Sequence, residues 1–202
     1  MRYDLFEIDF NDTKDGRIVC IHDWKDSAKQ SLNISSSDIP TLREFNRLVS
    51  ASESYKSCTF DSLVTWLKNN PEKYIVTDIK DNNVSTLKRM VEMYPELKSR
   101  FIPQIYHPSE YLQVRKLGYK KVIFTLYRCR CNDLTVIMSA MLMDLYAVTM
   151  PVSRVPSLGK PLSKLGVPTY VHTINTTEGL NIVKSFGASE IYTDWLYDVS
   201  EN

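Results

Sequence analysis

The sequence predicts an α/β fold, a (β/α) barrel that lacks its first strand–helix unit. Three observations carry the prediction. From Tyr74 onward, short apolar runs alternate with helix-period stripes, the pattern of a parallel sheet with helices packed outside it. The repeat is about 20 to 27 residues, and no strand run is followed by a glycine-rich phosphate loop. That disfavours a nucleotide-binding doubly wound sheet and favours a barrel. Finally, carboxylates stand inside two apolar runs, Phe6–Phe10 and Tyr74–Lys80, where a core strand tolerates charge only if it is partnered.

The elements follow in order. Residues 6–10 read FEIDF, so Glu7 and Asp9 leave one face of a strand while Phe6, Ile8 and Phe10 leave the other. A polar turn with Asp15-Gly16 leads to a second apolar run that ends on His22-Asp23, predicted to return as a hairpin partner. Trp24 to Asp38 is polar and aperiodic and is predicted as a loop. A helix opens at Pro40-Thr41, with Leu42, Phe45 and Leu48 or Val49 on one side. Thr59 caps a second helix whose stripe is Phe60, Leu63, Val64 and Leu67, stopped by Asn69-Asn70-Pro71.

Strands are then expected at 74–80, 101–106, 121–127, 147–150, 168–175 and 190–195. Helices are expected near 84–94, 108–117, 134–145 and 177–186, with a less regular connection from 151 to 165. With the opening strand this gives seven parallel strands, against the eight of a closed barrel. The missing unit is expected upstream of Met1.

Composition sets the limits. The chain has 202 residues, 43% hydrophobic and 24% charged, which suits one globular domain over residues 1–202. Its net charge of +1 and the lack of a basic stripe argue against nucleic acid. No apolar run approaches the roughly 20 residues a membrane helix needs. Acids from Asp4 onward do not fit a signal peptide. Cys20 reads as a core residue, and Cys129-Arg130-Cys131 is spaced too tightly for a zinc knuckle. With Cys58, these are expected to be reduced thiols in a cytoplasmic protein.

Several residues could carry chemistry. Barrel sites sit at the C-terminal strand ends. Asp78 shares a strand face with Val76 and Lys80, and its carboxylate with those of Glu7 and Asp9 would suit an oxygen-seeking cation such as Mg²⁺ or Ca²⁺. A solvent-facing strand edge explains Glu7 and Asp9 equally well. His22 closes a strand at a loop, where an acid–base group is expected, although a strand-end histidine is more often structural. Arg128 follows a strand end and could meet an anionic substrate, with a solvated loop charge as the default. His172 shares a face with Tyr170 and Ile174 and reads as a packed core histidine. His107, before Pro108, reads as helix entry or surface.

The string FEIDF-NDTKDGRIVCIHD resembles the signature of the glycerophosphodiester phosphodiesterase family: a Glu-x-Asp pair, a Thr-Lys-Asp-Gly turn and a strand ending in His-Asp. Further matches follow in order. Pro40-Thr-Leu-Arg-Glu44 resembles a Pro-Thr-Leu-x-Glu helix start. Thr77-Asp-Ile-Lys80 resembles a Glu-Ile-Lys strand with Asp78 for Glu, and His172-Thr-Ile-Asn175 a Trp-Thr-Val-Asn strand with His for Trp. Tyr192-Thr-Asp194 resembles the closing Thr-Asp.

The resemblance implies a TIM-type phosphodiesterase barrel acting on a small-molecule glycerophosphodiester. It assigns Glu7, Asp9 and Asp78 to a divalent metal and His22 and Lys80 to catalysis; Arg128 and His172 are taken beside these as candidate substrate-binding residues. The family's second catalytic histidine lies on the first barrel strand, so it too is expected upstream of Met1. A catalytically inactive barrel that binds an anionic headgroup or a partner protein is the alternative. An unrelated metal-dependent barrel, such as a sugar isomerase, predicts later-strand ligands that are not found.

Overall fold

A computed structural model describes residues 3–32, 34, 38–53 and 56–196. The chain divides into two compact units, one spanning Tyr3–Thr86 and one running from Leu87 onward.

The first unit begins with β1 (Leu5–Asp12) and β2 (Ile18–Cys20), followed by α1 (Asp26–Leu32), α2 (Leu42–Ala51), α3 (Phe60–Asn69) and β3 (Tyr74–Asp78). β1 lies between its antiparallel partner β2 and its parallel partner β3. The predicted hairpin is therefore present, turning at Gly16 with φ of +71°, a conformation that favours glycine. Phe6 and Phe10, on the face opposite the acids, meet Trp66 and Phe60 of α3 edge to face at 5.6 and 6.0 Å. Phe60, Val64, Leu67 and Ile75 complete this core.

Both α2 and α3 start as the sequence predicts. Thr41 accepts from the Glu44 N–H while Glu44 accepts from the Thr41 N–H, and Thr59 and Ser62 form the corresponding box. The predicted loop at 24–38 differs, because Asp26–Leu32 is helical. Ala28 and Leu32, one turn apart, pack with Val19, Ile21 and Phe45 in a small second core. That core, rather than local propensity, holds the short helix. The cysteines also differ from expectation: Cys20 is bonded to Cys58, with 5.3 Å between their Cα atoms, and Cys129 to Cys131.

The boundary between the units falls within α4 (Asn83–Met93). The second unit contains β4 (Phe101–Ile105), α5 (Tyr111–Lys116), β5 (Ile123–Thr125), α6 (Asp133–Leu142) and β6 (Ala147–Pro151). It continues with α7 (Val155–Lys164), β7 (Thr169–His172), α8 (Thr177–Ser185) and β8 (Glu190–Ile191). Its five strands pair in chain order, all parallel. Every residue of β4 and β5 is buried, as expected for strands covered on both faces. The irregular connection predicted after Met150 is instead a helix. Val155, Leu158 and Leu162 bury one stripe of α7 despite Pro161 inside it.

Candidate active site

The site grows from the register of β1 and β3. Parallel pairing sets Glu7 opposite Val76 and Asp9 opposite Asp78, so the strand period sends all three carboxylates to one face. One oxygen from each of Glu7, Asp9 and Asp78 lies within 4.8 Å of the others. Two residues past Asp78 the same face receives Lys80, whose Nζ bonds Asp9 and lies 3.2 Å from Asp78.

The electrostatics show how crowded this face is. Loss of surrounding water, followed by repulsion from Asp9 and Asp78, pushes the Glu7 carboxyl up to about 8, although the residue as a whole is exposed. Desolvation also raises Asp9, with Lys80 opposing it. Burial alone would lower the Lys80 ammonium, but the Asp9 hydrogen bond and the Asp78 charge outweigh it and raise its pKa. A hard, oxygen-seeking divalent cation fits this donor set, and all three donors are of the type Mg²⁺ and Ca²⁺ accept.

His22 lies just beyond β2, more than half exposed. Its Nδ1 is 2.8 Å from Asp23 Oδ2 and 3.2 Å from Ser27 Oγ. With a carboxylate as acceptor, Nδ1 carries the proton and Nε2 is left as an acceptor. Asp23 also caps a helix, since its Oδ1 accepts from the N–H groups of Lys25, Asp26 and Ser27 at the start of α1. Desolvation pushes the Asp23 carboxyl up, but the bonds from His22, Ser27 and these amides outweigh it and hold it well below the usual carboxylate range.

Arg128 and His172 stand in the second unit, each at or beyond the C-terminal end of a strand. The Arg128 guanidinium lies over the Tyr106 ring at 5.4 Å. Tyr106, Tyr127, His172 and Tyr192 follow ring to ring, with centroids 5.8, 6.0 and 6.4 Å apart. His172 is thus part of an aromatic row at the strand ends.

No family model matches the chain, and no curated protein matches it in sequence. Solved structures do match its fold. A candidate glycerophosphodiester phosphodiesterase from Galdieria sulphuraria superposes with a TM-score of 0.73 at 15% identity, over 94% of this chain and 81% of that one. The glycerophosphodiester phosphodiesterase of Thermotoga maritima gives 0.67 at 17% identity, over 93% and 80%. A phosphodiesterase from Oleispira antarctica, solved in complex with the product sn-glycerol-3-phosphate, gives 0.69 at 13% identity, over 93% and 80%. The fold is that of the glycerophosphodiester phosphodiesterases.

As predicted, this phosphodiesterase fold is an α/β fold of the TIM-barrel type. Barrels of this type carry their working groups at the C-terminal strand ends, and Asp78 is the last residue of β3. Three contributors are absent from the sequence-based expectation. Asp23 carried a signal, standing beside His22, and Ser27 carried a weaker one, four residues beyond Asp23. Asn11, whose side chain reaches the His22 carbonyl, carried none.

Proposed function

We propose that this chain is a metal-dependent phosphodiester hydrolase acting on glycerophosphodiester-type substrates. The observation that carries the reading is the convergence of Glu7, Asp9 and Asp78 with Lys80 beside them. The likeness of fold to phosphodiesterases supports it. A divalent cation, Mg²⁺ or Ca²⁺, held by Glu7, Asp9 and Asp78 would supply positive charge where negative charge develops at phosphorus.

Lys80 binds a non-bridging phosphate oxygen and keeps that oxygen's charge neutralised as the bond to the alcohol breaks. His22 moves a proton through Nε2, giving it to the leaving alkoxide or taking it from the attacking oxygen. Asp23 holds the ring in the required tautomer. Arg128 and the aromatic row with His172 bind the substrate. Residues 1–202 act as one barrel domain in this reading, which the match of a single enzyme fold over most of the chain supports.

Among the described residues, no helix is long and apolar enough to cross a membrane. The cytoplasmic expectation rested on reduced thiols. The Cys20–Cys58 bond removes that support.

The test is release of glycerol phosphate from glycerophosphocholine with Mg²⁺, Ca²⁺ or Mn²⁺, and its loss with EDTA. Asp78→Ala is expected to abolish turnover and weaken the metal. Metal-dependent binding of the diester without turnover would replace the hydrolase with the second reading, an inactive barrel that binds an anionic headgroup.

A further inference from the structure

We propose that Asn11 is a positioning residue, which fixes the backbone of His22 to the acidic strand. The consequence for catalysis rests on the role given to His22 above; the geometry itself does not.

The β1–β2 ladder ends at the pair Phe10–Cys20, so residues 21–24 run beyond regular pairing. They remain laced to β1 all the same. The Ile21 N–H donates to the Asp9 carbonyl at 3.1 Å, and the Trp24 indole N–H donates to the Asp12 carbonyl at 2.8 Å. Between these, the Asn11 side-chain amide donates to the Ile21 carbonyl at 2.8 Å and to the His22 carbonyl at 3.1 Å. A primary amide has two N–H donors, and here both are used on consecutive peptides.

The location matters as much as the bonds. Asn11 is two residues beyond Asp9 on β1, so its side chain leaves the same face as the carboxylates. One strand therefore carries two acids of the proposed metal seat and, at the next position on that face, the group that grips the histidine backbone. Asp23 and Ser27 set the orientation of the ring, whereas Asn11 sets the place of the peptide that carries it. Residues 18–20 do not depend on this grip. They are held by the Cys20–Cys58 bond, by the Cys20 N–H donating to the Cys58 carbonyl at 2.8 Å, and by β1. Loss of Asn11 is thus expected to loosen 21–23 without unfolding the hairpin.

The near-isosteric substitution Asn11→Asp removes both donors and sets a carboxylate against two carbonyl oxygens. Asn11→Ala removes the donors without adding charge. The chain has three histidines, so their imidazole signals in ¹⁵N-labelled protein are assignable by substitution. In metal-free protein, His22 is expected to give one sharp set of ring signals. Both variants should broaden or double that set, with the signals of His107 and His172 and the amides of β1 and β3 in place. In a second arm, saturating Mn²⁺ should broaden the His22 ring proton in the original protein. That effect should fall severalfold in Asn11→Ala, which adds no charge, with Mn²⁺ affinity kept within about twofold. An unmoved His22 set in the folded variants overturns the proposal. Failure of Mn²⁺ to bind would count against the metal seat, while the metal-free comparison still judges Asn11.

Discussion

Lys80 bonds Asp9 and Asp78, the same carboxylates proposed to hold a divalent cation. Its charge therefore opposes the metal while favouring the phosphate, and the two roles separate in one substitution. Lys80→Met should tighten Mn²⁺ about tenfold, equivalent to about 1.4 kcal/mol, because a competing ammonium is gone. The same variant should bind sn-glycerol-3-phosphate more weakly. Calorimetric titration of both ligands checks the opposed signs. Glu7 gives a pH signature. Its carboxyl is raised from 4.5 to about 8 in the fold, so the folded state holds the proton more tightly than the unfolded chain. The stability this provides is complete below about 4.5 and is lost as pH rises through about 8. The melting temperature of metal-free protein should fall over that window, and Glu7→Gln should flatten the fall. These residues were legible because alternation along a strand needs no tertiary knowledge. The Asp23–Ser27–His22 arrangement was not, because it depends on where α1 begins.

At the scale of elements, β2 and the segment before α3 are joined by the Cys20–Cys58 bond, across 38 residues of sequence. A cross-link of that span restricts the unfolded chain and is worth about 2–4 kcal/mol. Replacing both residues, Cys20→Ser with Cys58→Ser, should lower the unfolding free energy measured in urea by that amount. Dithiothreitol should lower the original protein's value by that amount more than it lowers the double variant's, because the Cys129–Cys131 bond is reduced in both. Spacing alone could not reveal this pair, since cysteines distant in sequence show no connectivity until the fold brings them together. Two helices were missed for related reasons. In α1 the apolar signal is confined to Ala28 and Leu32, and its partners come from elsewhere. In α7 the residues Pro156, Gly159 and Pro161 obscure a buried stripe of Val155, Leu158 and Leu162. The strands β4, β5 and β6 were legible because burial on both faces writes them as largely apolar runs.

For the whole molecule, the proposed metal ligands all lie in the first of two compact units, 3–86. Reading residues 1–202 as one barrel domain makes a definite claim about how metal stabilisation spreads. A ligand that binds only the native state adds RT ln(1 + [L]/Kd), about 2.7 kcal/mol at a hundredfold excess over Kd. If the chain unfolds as one unit, amides that exchange only through global opening must all gain that same free energy, wherever they lie. Native-state hydrogen exchange with and without Mn²⁺ reads this directly. The expected outcome is equal added protection in β1 and β3 and in the buried strands β4, β5 and β6. Protection gained only within 3–86 would show that the two units open independently, and EDTA should return every amide to its unloaded rate.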